Sequence, residues 1–216
     1  MKLQANALLS EQLRPQCLAD LLLPSKLRES FQYMIDTRSA MNMTFYGKPG
    51  IGKTSAARIL FKEMDADVFE LNGSFNSGDK TMLQEIRSYA YTMSLFEQPK
   101  VCFIDEADYL SKEVQASLRG LIEGVSHNTR FIMTVNDIDK MTPPILSRCE
   151  PVCFDVNPVE TLRTIESISE RYVFRLSGLG YEADIKTVKN IVCLYFPDLR
   201  RIANQFQLEL KLKAQN

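Results

Sequence analysis

The sequence has no tryptophan, a single histidine (His127) and no cysteine pair of the CxxC kind. Its five cysteines, Cys17, Cys102, Cys149, Cys153 and Cys193, are an odd number without regular spacing, and two of them interrupt apolar strand-like runs. Such cysteines are expected to be reduced and mostly buried. Cys149 and Cys153 are four residues apart, but no second Cys or His pair exists to complete a zinc site. No apolar run approaches the roughly 20 residues that a membrane-spanning helix needs, and the opening MKLQANALLSEQLRP has no apolar core behind a basic start. Neither a membrane partner nor export is predicted, so the cytoplasm of a bacterium or of a phage-infected host is the expected location. An excess of one charge is also missing, with 26 Lys and Arg against 27 Asp and Glu. Net charge therefore gives no general attraction to polyanions, and any contact with DNA has to come from a local patch.

What is present is a chain of 216 residues, 45% hydrophobic and 25% charged, long enough for one sizeable core and a small second module. Residues 42–46 read as a strand that leads into a glycine-rich loop, and Ala57, Leu60, Phe61 and Met64 then recur at helical spacing. Residues 67–71 form a second strand pattern. Turn chemistry follows, and 80–95 returns to a helix through Met82, Leu83, Ile86, Tyr89 and Ala90. The run 101–105 is apolar until it ends in acid, as a strand covered on both faces would be. Ser111 fits an N-cap for a helix striped by Val114, Leu118, Leu121 and Ile122. Strands at 130–135 and 151–156 complete an alternation that predicts an α/β fold, an open parallel sheet with helices on both faces. Beyond Pro158 only amphipathic helices are expected, at 159–176, 184–195 and 198–213. The division is therefore 1–156 for the sheet domain and 157–216 for a helical one.

Two segments carry chemistry. Gly47-Lys48-Pro49-Gly50-Ile51-Gly52-Lys53-Thr54 satisfies GxxxxGK[ST] between a strand and a helix, the context that makes this a phosphate-binding loop. Its glycines let backbone N–H groups turn around a phosphate chain, and a helix beginning near Lys53 adds its positive end. Gly50, Ile51, Gly52, Lys53, Thr54 and Ser55 are the expected ATP contacts, with Lys53 on the β and γ phosphates and the Thr54 hydroxyl on Mg²⁺. Asp105 and Glu106 stand together at a strand end. An Asp there holds Mg²⁺ partly through water, and an adjacent Glu polarises the attacking water.

VCFIDEAD at 101–108, Asn136 after the next strand, and Leu146-Ser147-Arg148-Cys149 together resemble the clamp-loader ATPase subunits of the AAA+ class. They resemble replication factor C small subunits and, more closely, the ATPase subunit of the T-even phage clamp loader. Leu13-Arg14-Pro15 and Phe196-Pro197-Asp198-Leu199-Arg200 extend the resemblance over nearly the whole chain. It implies an AAA+ P-loop fold with a helical lid, ATP hydrolysis, and partners that include other loader subunits, a sliding clamp and primer-template DNA. Residue by residue it implies that Asn136 aligns the attacking water, that Arg200 reaches the phosphates, and that Arg148 is the finger offered to a neighbouring subunit. Leu13, Arg14 and Leu22 would border the adenine. Lys80, Arg87, Lys112 and Arg119 would meet DNA phosphates, and Gln115, one turn from Arg119, would share its face.

Without the resemblance, Arg148 reads equally as a surface arginine, Asn136 as a turn residue, and the four basic residues as solvated helix faces. The chain departs from the family at Leu13, where an aromatic residue is usual, and it reaches Asn216 without the third, collar domain. Other AAA+ DNA enzymes, initiators or branch-migration motors, and a non-hydrolysing scaffold subunit are the competing readings.

Overall fold

The computed structural model describes residues 8–75, 80–94, 98–157 and 160–213. Residues 95 and 159, at the ends of two predicted helices, lie outside them. Five strands, β1 (Met43–Tyr46), β2 (Asp67–Asn72), β3 (Lys100–Asp105), β4 (Thr129–Val135) and β5 (Glu150–Cys153), form one sheet in the order β2-β3-β4-β1-β5. Every pairing is parallel. The helices are α1 (Leu9–Gln12), α2 (Ser25–Thr37), α3 (Lys53–Glu63), α4 (Lys80–Tyr91), α5 (Lys112–Gly124), α6 (Pro143–Leu146), α7 (Thr161–Gly178), α8 (Ile185–Tyr195) and α9 (Leu199–Lys213). Short 3₁₀ turns occupy Leu18–Asp20, Ala107–Tyr109 and Ile138–Lys140. None of the described helices is long and apolar enough to cross a membrane.

The chain forms two compact units. One comprises residues 17–47 and 53–154, and the other comprises the described residues of 1–16, 48–52 and 155–216.

In the sheet unit the two-residue period of β3 sends alternate side chains to opposite faces. Cys102 and Ile104 join Phe131, Met133 and Val135 of β4 in a core shared with Met82 and Ile86 of α4 and Leu118 and Ile122 of α5. On the other face Phe103 packs edge-on against Phe61 of α3, and Phe45 of β1 stacks on Phe31 of α2. Apolar burial on both faces explains why β3 and β4 read as continuous hydrophobic runs. Ser111 caps α5 as expected, its side chain accepting from Val114 N at 3.3 Å. Helix α2 has no counterpart among the expected elements, although Pro24 marks its start and the buried Phe31 and Met34, with the half-buried Leu27 one turn before, mark its inner face.

The expectation of mostly buried cysteines needs correction. Cys102 and Cys149 are buried, whereas Cys17, Cys153 and Cys193 are exposed. Cys153 ends β5, which among the described residues is an edge strand paired with β1 alone and covered far less than β3. Burial pushes the Cys149 thiol up to about 12, so it resists becoming the thiolate that a metal would need.

The helical unit packs α7 against α8 and α8 against α9, with α1 lying on α9. Tyr172 meets Phe206 edge-on, and Ile168, Leu176, Val192 and Ile202 are buried. Asp184 caps α8 by accepting from Thr187 N, and Asp198 accepts from Arg201 N in the first turn of α9.

Lysine closes one helix of the sheet unit. Lys100, only 3% exposed, donates from Nζ to the carbonyls of Tyr89 and Thr92 and to the Thr92 hydroxyl at 2.7–2.8 Å. The ammonium also lies 4.1 Å from the centroid of the Tyr89 ring. A cation at a helix C-terminus is favoured by the dipole and here adds a charged donor to carbonyls that also accept from Thr92 and Asn128. Lys100→Met keeps most of the volume and removes the charged donor from these acceptors, although the Tyr89 carbonyl still accepts from the Thr92 amide and hydroxyl and the Thr92 carbonyl from the Asn128 side chain. It is expected to lower the urea unfolding free energy by about 1–3 kcal/mol. A loss below about 0.5 kcal/mol, the range of ordinary surface changes, would show that water replaces the ammonium at no cost.

Candidate active site

The carboxyl edge of a parallel sheet is where ligands collect, and β1, β4 and β3 bring their ends there side by side. Register pairs Tyr46 with Val135 and Ile104 with Met133, so Gly47, Asn136 and Asp105 follow at one rim. Lys53, the first residue of α3, is 7% exposed. Its Nζ donates to the Gly47 carbonyl at 2.7 Å and to Asn136 Oδ1 at 2.9 Å. Both of these acceptors are neutral oxygens, and they fix the direction of the ammonium.

The next residue, Thr54, meets a carboxylate. Asp105 Oδ1 accepts from Thr54 Oγ1 at 2.9 Å and also, in a very short bond, from Thr134 Oγ1. The same Thr134 oxygen accepts from the Glu106 amide at 3.0 Å. Glu106 has φ 56° and ψ 43°, the left-handed region that non-glycine residues rarely occupy. The Thr134 bond therefore helps to hold a backbone turn that costs energy at a half-exposed glutamate. Gly73 closes the opposite side. Its amide donates to the Asp105 carbonyl at 2.7 Å, and a Cβ there would stand 2.6 Å from the Glu106 carbonyl oxygen. Only glycine fits so close to that turn.

The donor set suits a hard divalent cation beside phosphates, since a threonine hydroxyl and one carboxylate leave the remaining positions to water and phosphate oxygens. No group of three or more His, Cys, Asp or Glu that could hold a metal exists among the described residues.

In the helical unit, the Gly50 carbonyl accepts from Leu199 N at 3.0 Å, and the Lys48 amide donates to Asp155 Oδ1 at 2.9 Å. Gly50 has φ +77°, and a Cβ on it would fall 2.2 Å from Asp198 Oδ1. Ile51 and Gly52 are half-buried, as is Ser55 in the first turn of α3. Arg200 is exposed in the first turn of α9. Leu13 is buried, and its carbonyl and that of Arg14 accept from the Arg175 guanidinium at 2.8 and 2.9 Å. Leu22 is half-buried in the sheet unit.

The remaining predicted residues lie elsewhere. Arg148 follows α6 and is bonded to Glu123 of α5. Arg87, Lys112 and Arg119 are exposed on α4 and α5, while the Lys80 side chain lies outside the described part. Gln115 does not share a solvent face with Arg119. It is 1% exposed, donates to the carbonyls of Leu110 and Lys140, and accepts from Thr142 N. Helical spacing puts two residues on neighbouring positions, but a buried amide with three backbone partners has turned inward.

Thr134, Gly73, Glu123 and Arg175 belong to no motif, and sequence reasoning passed over them. A threonine in the apolar run 130–135, two residues before Asn136, was the one available signal for Thr134.

The profile of the family described as "ATPase family associated with various cellular activities (AAA)" matches residues 43–154. A replication factor C small subunit of Methanococcus maripaludis is 30% identical over 206 residues, covering 91% of this chain and 62% of that protein. Replication factor C subunit 5 of Mus musculus is 32% identical over 205 residues, and subunit 3 of Saccharomyces cerevisiae 31% over 204, each covering 91% of this chain and 58% of its own. The chain thus spans about three fifths of the length of these relatives. Among solved structures, the Thermotoga maritima RuvB Holliday junction branch migration motor superposes with a TM-score of 0.69 at 18% identity, covering 90% of this chain and 63% of the other. At that identity the likeness speaks for the fold alone.

Thr134→Val is isosteric and removes one donor to Asp105 and the acceptor of the Glu106 amide together. The expected cost is about 1–3 kcal/mol in urea unfolding, largely restored in Thr134→Ser. Equal stability of the valine variant and the parent would show that the turn at Glu106 stands without this bond.

Proposed function

The chain belongs to the AAA family of ATPases, and on that premise we propose that it binds and hydrolyses ATP as a subunit of a machine that loads a sliding clamp onto primer-template DNA. The observation that carries the hydrolytic part is the shared Asp105 oxygen, which joins Thr54 of the phosphate loop to Thr134 and through it to Glu106. Lys53 holds the β and γ phosphates, and the Thr54 hydroxyl and Asp105, the latter partly through water, hold Mg²⁺. The bound cation supplies neutralisation of phosphate charge. Glu106 accepts a proton from the attacking water, and Asn136, already fixed by Lys53, orients that water. Gly50, Ile51, Gly52, Ser55 and Arg200 complete the phosphate contacts, and Leu13, Arg14 and Leu22 border the base.

The clamp-loader part is supported by the Ser147-Arg148-Cys149 motif together with similarity to replication factor C small subunits over 91% of the chain. Residues from about 157 onward act as the helical lid. Arg148 serves the site of a neighbouring subunit, while Lys80, Arg87, Lys112 and Arg119 meet DNA phosphates without regard to base sequence. A branch-migration role gains nothing from the RuvB likeness, which concerns the fold. A purely structural subunit would have no use for Lys53, Thr54, Asp105, Glu106 and Asn136 together.

Two measurements test this reading. Lys53→Ala should abolish tight ATP binding, whereas Glu106→Gln should preserve binding and stop turnover, because one side chain holds phosphates and the other serves the water. Equal loss of binding in both variants would show the roles to be misassigned. Arg148→Ala should leave ATP affinity of the isolated chain unchanged and lower ATPase of the assembled protein by about 10³-fold or more. Mixing Arg148→Ala with Lys53→Ala chains should recover part of that activity, since a finger from one and a nucleotide site from the other complete a site. No recovery in the mixture would rule out action in trans.

A further inference from the structure

Arg148 is held in one orientation by its own chain. Its backbone is fixed by bonds from the Arg148 and Cys149 amides to the Ile145 carbonyl, and Ile145 and Cys149 are both fully buried. The side chain, by contrast, is 24% exposed. Nε donates to Glu123 Oε1 at 2.7 Å, Nη2 donates to the same oxygen in a very short bond, and Nη1 donates to the Pro144 carbonyl at 2.7 Å and to Ser147 Oγ at 3.0 Å. Among the described residues these four bonds fix the plane of the guanidinium and leave one of its five N–H donors, on Nη2, for an outside acceptor.

Glu123 is well placed to do this. It lies in the last turn of α5, where Leu121 and Ile122 are buried and anchor the helix. Its carboxyl is held below the usual range, first by the hydrogen bond from Arg148, then by the charge of Arg148, and less by that of Arg119 one turn earlier. An arginine side chain has many rotamers, and a fork bonded on both edges keeps one of them.

We propose that Glu123 is a positioning residue for Arg148, setting the guanidinium in the orientation from which it enters a neighbouring subunit's ATP site. The inference rests on the reading of Arg148 as a finger acting in trans. Because Glu123 belongs to the helix that carries Lys112 and Arg119, it also ties the finger's orientation to the position of α5.

The test is steady-state ATPase of the assembled protein, with ATP affinity and thermal unfolding of each chain as controls. Glu123→Ala should lower kcat about tenfold and leave KM for ATP within about twofold. Glu123→Asp keeps the charge with a shorter reach and should fall between parent and alanine variant. In an Arg148→Ala background Glu123→Ala should cost nothing further, since the residue then has nothing to position. An unchanged or raised kcat in Glu123→Ala overturns the inference, a raised one marking the pair as a restraint on the finger. An equal loss with and without Arg148 overturns it too, by assigning Glu123 a role of its own. If Arg148→Ala alone leaves the assembled rate untouched, the finger reading itself fails and this inference falls with it. If Arg148→Ala lowers the rate and Glu123→Ala does not, only the inference fails.

Discussion

One oxygen atom organises the sheet edge. Asp105 Oδ1 accepts hydrogen bonds from Thr54 at the start of α3 and from Thr134 near the end of β4, so a single carboxylate sets the distance between a helix and two strands. Charge-assisted bonds of this kind are roughly twice as strong as neutral ones, and here they converge where strands β3 and β4 lie in parallel register. The threonine that gives its proton to Asp105 receives one from the Glu106 amide. The backbone turn that presents Glu106 thus depends on the position of the residue before it.

That dependence explains why the chemistry sits on so short a stretch of chain. A parallel sheet delivers strand ends to one rim, and the apolar packing of Phe31, Phe45, Phe61 and Phe103 on one face and Ile86, Leu118 and Phe131 on the other keeps them from shifting. A shift of one residue in β4 would exchange Thr134 for Met133 or Val135 at the carboxylate, and it would turn every apolar side chain of the strand to the wrong face. Core packing and the site's polar bonds therefore select the same register. Gly73 adds a third restraint, because its missing side chain is what lets β2's exit lie against the Glu106 carbonyl.

Much of this was legible beforehand. The strand, loop and helix around Lys53 announce themselves through glycine spacing, and the apolar run ending in Asp105 and Glu106 could hardly be anything but a central strand. Both rest on local patterns, which a chain displays whatever its partners are. Thr134 and Gln115 were harder, since each is defined by what it meets far away in sequence. Gln115 was expected to share a face with Arg119 from their spacing of one turn, yet its amide is taken by three backbone groups of other segments. Periodicity reports which side of a helix is apolar. It does not report which polar residue has found a buried partner.

The N-terminal segment shows the same limit in another form. Between Leu13 and Pro24 the chain has little regular structure, so its backbone groups need partners that a helix or sheet would otherwise supply. Charged side chains meet that need in both units. Arg175 receives into its fork the carbonyls of Leu13 and Arg14, Arg28 those of Leu18 and Leu21, and Glu63 accepts the Leu18 amide at 2.7 Å. A guanidinium is suited to this work because its donors are splayed at fixed angles and can bind two carbonyls of an irregular turn at once. Neither Arg28 nor Arg175 stands in a motif, and by composition each is only one of many basic residues in a nearly neutral protein. The residues expected to border the base, Leu13 and Arg14, are consequently placed by an arginine about 160 positions further along the chain, a relation that lies in the fold and in no local pattern of the sequence.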